Sequence, residues 1–213
     1  ERVPYTLCDW DANEGTITLI VQEKGQSSRK LALMRTGDTA AHIVGPLGTP
    51  LEIDNYGTVV LLGGCYGIGA HIANAKALKA AGNHVILIVE ARSHYLHYYQ
   101  EELASVADEF IASTIDGSNG VKGHSIDVLL RRLKTGAKVD RVIAVGCPFM
   151  MKTVAAETAE MNMPVLAALN PIMLDGTGMC GACRVTIDGK TKFACVDGPF
   201  FDAHLIDWEE LKD

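Results

Sequence analysis

The chain has 213 residues, of which 48% are hydrophobic and 21% charged, with a formal net charge of −7. That length supports one large or two small buried cores, and the acidic balance argues against nucleic acid or an anionic membrane surface as a partner. No apolar run reaches the roughly 20 residues of a membrane span. No signal peptide is apparent, and Cys8, Cys65 and Cys147 lie singly in apolar segments, which predicts a reduced, cytoplasmic protein.

Residues 1–50 read as β structure. Thr16-Ile-Thr-Leu-Ile-Val-Gln alternates around apolar positions, Lys24-Gly-Gln-Ser-Ser predicts a turn, and Gly45-Pro-Leu-Gly-Thr-Pro50 is a breaker. Thr58-Val-Val-Leu-Leu is a continuous apolar run, as in a strand buried on both faces. An Ala-rich helix is predicted over 70–81, ending at Gly82, followed by a second buried strand over 84–90. Further helices are predicted over 98–106, 125–133 and 150–161, with strands over 141–145 and 164–169. Strands separated by helices imply a parallel sheet of right-handed βαβ units. From Asn170 the character changes, and Arg184-Val-Thr-Ile and Thr191-Lys-Phe-Ala predict a hairpin across Asp188-Gly189.

The first buried strand runs into Gly63, Gly64, Gly67 and Gly69, then a helix. Glycines there let backbone amides approach a pyrophosphate at a helix N-terminus. The pattern is looser than G-x-G-x-x-G, and a plain Gly-rich turn is the competing reading. Glu90 closes the second strand, where a carboxylate can accept from ribose hydroxyls, while Arg92 could meet a 2′-phosphate; the balance favours NAD(H) over NADP(H). Cys147-Pro148 lies at the end of a later strand, the ligand edge of an open α/β sheet, so Cys147 could face a nicotinamide. His94 and His97 have the spacing of a metal pair but no further ligands near them in sequence.

Asp175-Gly-Thr-Gly-Met-Cys180-Gly-Ala-Cys183, with Cys195 beyond it, has the plant-type [2Fe–2S] spacing C-x4-C-x2-C…C, with Asp175 in the place of the first Cys. The residues between are small, as a loop wrapped around inorganic sulfides requires. The alternatives are a zinc site in which Asp or His completes three Cys, or separate buried thiols.

These three segments together resemble the ferredoxin–NADP reductase-like flavoproteins that carry an extra C-terminal [2Fe–2S] module, over essentially the whole chain. Gly37-Asp38 with Gly45-Pro-Leu-Gly48 looks like the end of that family's flavin barrel, and Gly146-Cys-Pro-Phe-Met-Met151 like its nicotinamide-side Cys-Gly-Pro-x-x-Met, with Cys and Gly exchanged. Two branches of the family bear on the Cys loop. Electron-transfer subunits of dihydroorotate dehydrogenase use four Cys, and small subunits of NADH-dependent ferredoxin:NADP oxidoreductase use one Asp and three Cys; Asp175 favours the second. The resemblance implies that Pro4, Tyr5 and Thr6 hold the flavin, although Val3 stands where the family has Arg and Arg2 is one residue early. It also implies that Gly25, Ser27 and Ser28 form a diphosphate loop. A closed barrel needs about six strands, so the flavin domain is expected to be a C-terminal part only, its N-terminus missing.

The fold expected is therefore α/β in three parts: a partial antiparallel β-barrel over 1–50, a parallel βαβ NAD(H)-binding domain over 51–168, and a small [2Fe–2S] module over 169–213 held by Asp175, Cys180, Cys183 and Cys195. The implied function is that of an oxidoreductase subunit carrying NAD(H), FAD and a [2Fe–2S] cluster, passing electrons to or from a larger flavoprotein or iron–sulfur partner in a heterodimer. No side chain need act as acid or base, because the cofactors carry the chemistry. The competing expectations are a dihydroorotate dehydrogenase electron-transfer subunit and a zinc-stabilised nucleotide-binding sensor.

Overall fold

A computed structural model of the chain describes residues 3–211; Arg2 lies outside them. Strands β1 (Leu7–Asp11) and β2 (Thr16–Leu19) pair as an antiparallel hairpin, followed by the short helix α1 (Gln26–Ala32). The predicted turn at Lys24 is thus the start of a helix. Ser28 accepts hydrogen bonds from the Lys24 and Gly25 amides at 2.9 and 3.0 Å, satisfying donors that a helix start leaves open. Residues 33–57 hold no strand among the described residues, so the expectation of β structure throughout 1–50 holds only for the first hairpin.

The centre is β3 (Thr58–Gly64), α2 (Gly67–Ala80), β4 (His84–Ala91), α3 (Gln100–Val106), β5 (Glu109–Thr114), β6 (Val121–Lys122), α4 (Ser125–Lys134), β7 (Arg141–Val145), α5 (Pro148–Thr158) and β8 (Val165–Ala168). The hairpin β9 (Arg184–Ile187) and β10 (Lys190–Phe193) then precedes β11 (Phe200–Asp202). The large sheet has the order β11-β8-β7-β3-β4-β5-β6, parallel except for β11. Side chains alternate across it as a strand's two-residue period demands. Val59 and Leu61 join the core under α2 and α3, whereas Val60 and Leu62 join the core under α4 and α5. All four are fully buried, which accounts for the unbroken apolar run.

Strands β5, β6 and β11 depart from expectation, and the helix boundaries shift by up to three residues. β5 ends in Ser113 and Thr114, both fully buried, so its second half lacks the apolar signature of a core strand. Ser113 and Thr114 satisfy their hydroxyls on the Val89 and Asn119 carbonyls at 3.1 and 2.8 Å. β11 spans three residues and forms only because β8 presents an open edge. α3 begins at Gln100 rather than 98 because Tyr99 has φ 52°, outside the helical region.

From β3 the chain builds outward to β4, β5 and β6, then returns to the other flank of β3 for β7 and β8. The loops after β3 and β7 therefore diverge, leaving a crevice at the carboxyl ends of these two neighbours, the place where open α/β sheets bind ligands. The C-terminal hairpin packs on the α4/α5 face, with Cys183, Val185 and Cys195 in the same core as Met151 and Val154.

Candidate functional site

The crevice is built by close approaches that only glycine allows. A Cβ on Gly67 would stand 2.1 Å from the Val145 carbonyl oxygen, so α2 can begin hard against the end of β7. A Cβ on Gly69 would meet the Ile20 side chain at 2.2 Å, so the first hairpin can pack on α2. A Cβ on Gly64 would be 2.7 Å from the Met150 sulfur, and one on Gly63 3.0 Å from the His71 ring. These four positions fit the packing role of a nucleotide-loop glycine more directly than its pyrophosphate role. The Tyr98 hydroxyl pins the loop: it donates to the Cys65 carbonyl at 2.9 Å and accepts from the Gly69 amide at 3.2 Å. Burial pushes its phenol up, which keeps it a donor.

Glu90 lies at the same edge, but its carboxylate is already engaged. Oε2 accepts from the Ser125 amide at 2.7 Å and the Ser125 hydroxyl at 2.6 Å, and Oε1 is 3.6 Å from His124 Nδ1. This negative charge sits on the first turn of α4, where a helix N-terminus favours it. The ribose role expected of Glu90 therefore has one oxygen, Oε1, to work with. Arg92 is exposed just beyond β4. Its carbonyl accepts the Asp116 amide at 3.2 Å, and the Ser118 hydroxyl and amide hold Asp116 down to about 2. Cys147 is half-buried and precedes α5 as its N-cap, with Pro148 in the first helical position, where its missing N–H costs nothing. Cys65, not singled out from the sequence, hydrogen-bonds Cys147; that bond pushes its thiol up.

Pro4 and Tyr5 are half-buried and Thr6 exposed. Pro4 reaches the Cys loop: its Cβ would be 3.5 Å from a Cβ on Gly176. Gly25 and Ser28 form the start of α1 and Ser27 lies in its first turn. His94 lies in a single 3-10 turn, and His97 Nδ1 is 3.3 Å from the Asn119 amide, so the two do not form the metal pair their spacing suggested.

In the Cys loop, Gly176, Gly178 and Gly181 have φ of 83°, 84° and 67°, the left-handed conformations that a tight wrap needs. Cys183 precedes β9 and Cys195 follows β10, so the hairpin closes with both thiols at its base. Both are buried and their sulfurs are 3.1 Å apart. Two thiolates on one tetrahedral metal ion, each about 2.3 Å from it, lie roughly 3.8 Å apart, so a small opening of this pair admits a shared iron. Burial and the adjacent Cys183 thiol push Cys195 up to about 11, so metal binding there displaces protons. The other two expected ligands are not drawn in with them. Cys180 is exposed, and Asp175 Oδ2 closes a turn by accepting from the Thr177 hydroxyl at 2.5 Å and amide at 3.0 Å. Among the described residues, no group of three or more His, Cys, Asp or Glu side chains is assembled for a metal. The donor set suits an iron–sulfur cluster, with two soft sulfurs fixed and an Asp and a Cys on the glycine wrap above them.

Comparison with known proteins matches residues 170–207 to the iron–sulfur cluster binding domain of dihydroorotate dehydrogenase B. Over the whole chain, the dihydroorotate dehydrogenase B (NAD(+)) electron transfer subunit homolog of Thermotoga maritima is 44% identical across 211 residues, covering 99% of this chain and 74% of that protein. The electron transfer subunit of Bacillus caldolyticus is 33% identical, covering 95% and 78%. A solved structure of an NADH-dependent reduced ferredoxin-NADP oxidoreductase, described for flavin-based electron bifurcation, superposes with a TM-score of 0.92 at 44% identity, over 99% of this chain and 76% of that one.

Proposed function

Because this chain belongs to the family of dihydroorotate dehydrogenase B electron-transfer subunits, we propose that it passes electrons between NAD(H), FAD and a [2Fe–2S] cluster, to or from a larger partner flavoprotein. The observation that carries this is the buried Cys183–Cys195 pair beneath a glycine wrap beside Pro4, of the expected flavin segment. The three expected parts take successive roles: residues 1–50 hold flavin, 51–168 NAD(H), and 169–213 the cluster. When bound, these groups supply hydride and single-electron chemistry, and the protein positions and tunes them.

Cys183 and Cys195 fix one side of the cluster, and Cys180 and Asp175 close over the other. Asp175 must then give up its turn with Thr177, so the wrap moves while the base stays. Gly63, Gly64, Gly67 and Gly69 seat α2 at the crevice, and Glu90 Oε1 accepts from a ribose hydroxyl. Glu90 and Asp116 flank Arg92 with negative charge, which favours NAD(H) over a nucleotide bearing a 2′-phosphate. Cys147 and Pro148 border the nicotinamide side. Ile172, Leu174, Met179 and Val196, 77%, 60%, 85% and 46% exposed, present apolar surface beside the cluster ligands. Such a patch marks a docking face, and we place the partner there. No described helix is long and apolar enough to cross a membrane.

Asp175 in the first-ligand position favours a ferredoxin:NADP oxidoreductase type of partner. The family match over 170–207 favours, as second reading, a partner that oxidises dihydroorotate. The test is protein purified without oxygen. We expect a reddish-brown colour, two irons and two sulfides per chain, and FAD released on denaturation. Colourless protein containing zinc would overturn the reading in favour of a nucleotide sensor, and the activity of the co-purified partner separates the two redox readings.

A further inference from the structure

The turns that end β3 and β7 each carry a cysteine. These strands are parallel neighbours, in register from Val59 with Arg141 to Gly63 with Val145. Cys65 and Cys147 each lie two residues past the last pair of this ladder. Neighbouring strands lie roughly 4.8 Å apart, inside the Cα separation of about 4.4–6.8 Å that a disulfide spans. The side chains meet, since the Cys65 thiol hydrogen-bonds Cys147. Cys65 also has φ 51°, the left-handed region where glycine costs least, in a loop otherwise rich in glycine. A side chain retained in such a strained place signals use of that side chain. Cys65 is exposed to solvent, and Cys147 is half-buried at the start of α5.

We propose that Cys65 and Cys147 are a dithiol site that low-molecular-weight disulfides convert to an intramolecular disulfide, and that this bridge closes the crevice between β3 and β7 to the nucleotide. The Cys147 thiolate attacks one sulfur of a disulfide such as oxidised glutathione, whose S–S bond breaks to release one glutathione thiolate. Cys65 then loses its proton and attacks the Cys147 sulfur, expelling the second glutathione thiolate. Two electrons pass from the protein sulfurs to the glutathione disulfide, and the two protons end on the two glutathione thiols. The hydrogen bond that keeps Cys65 protonated makes it the second sulfur to act. Excess thiol reverses the reaction. The bridge itself needs no nucleotide, whereas its blocking effect rests on the nucleotide role proposed above.

The full-length protein, purified without oxygen, is equilibrated with mixtures of oxidised and reduced glutathione, alkylated, digested and mapped by mass spectrometry. NADH affinity is measured on the same samples. The expected result is a Cys65–Cys147 cross-linked peptide that dithiothreitol removes, with at least tenfold weaker NADH binding in the bridged form. In Cys65→Ser, and separately in Cys147→Ser, the ratio of affinities before and after oxidation should be one. Glutathionylated Cys65 or Cys147 without a cross-link, or cross-links confined to Cys180, Cys183 and Cys195, would overturn the site. A cross-link with unchanged NADH affinity would overturn the closure. Reduced wild type that binds no NADH would refute the nucleotide role, and with it the closure, while the cross-link stands or falls on the peptide map.

Discussion

In β3, Val59, Val60, Leu61 and Leu62 are fully sealed from water, whereas in the Cys loop Ile172 and Met179 stand 77% and 85% exposed. The sheet orders its backbone by burial and ladder hydrogen bonds. The loop orders its own by turns: three left-handed glycines, the Asp175–Thr177 closure and one buried thiol pair. A change in the sheet should therefore be felt as lost stability, and a change in the loop as lost cofactor at little cost to the fold.

Cys183→Ser should break this contrast most sharply. Loss of one of two fixed sulfurs should abolish cluster occupancy, seen as loss of visible absorption and of iron, and because Cys183 shares the core under α4 and α5 the denaturant midpoint should fall with it. Leu62→Ala should touch the sheet alone. Emptying a fully buried site on β3 should cost about 3–5 kcal/mol in denaturant unfolding, with iron content per folded molecule unchanged.

Acid should also act on the sheet. His71 is completely buried in α2, with Nε2 2.9 Å from the Leu62 carbonyl and no partner for Nδ1 among the described residues, and burial lowers it to about 4. The unfolded chain, with a value of about 6.5, therefore binds a proton that the folded protein refuses. This contribution is complete above pH 6.5 and is lost as pH falls from 6.5 toward 4, on the order of 3 kcal/mol in all. His71→Gln should flatten that part of the stability–pH profile; an unchanged slope would mean that other groups set it.

Within the loop, Asp175→Cys should keep the cluster and lower its midpoint potential by on the order of 100 mV, about 2 kcal/mol for one electron, because thiolate donates more strongly to ferric iron than carboxylate does. Asp175→Ala should deplete the cluster, and full occupancy with an unchanged EPR signal would remove Asp175 from the ligand set. The smallest effect belongs to the hinge between sheet and site. Glu90→Gln should loosen the start of α4 by about 1 kcal/mol and narrow the preference for NADH over NADPH. A preference that stays the same would transfer selection to Asp116 and Arg92.

Legibility followed the same division. The inner strands could be seen because both of their faces are buried, so apolarity ran unbroken through 59–62 and 85–89. The Cys loop could be seen because ligand spacing is local. β5 was hidden by its buried hydroxyls, β6 and β11 by their length, and α1 by a Gly-Gln-Ser-Ser start that turns and helices share. The engagement of Glu90 by Ser125, 35 residues away, and the meeting of Cys65 with Cys147 are products of strand order, which no local pattern encodes.

The pairing of β11 with β8 also constrains the order of biogenesis. Residues 169–199 form a ring whose neck is that strand pair. Cys180, Cys183 and Cys195 all lie inside it, and the neck cannot form until Asp202 has left the ribosome. The nucleotide sheet through β8 can collapse while the ring is still being synthesised. The three cysteines therefore emerge only after the strands through β8, and closing the neck completes the sheet and the ring in one step.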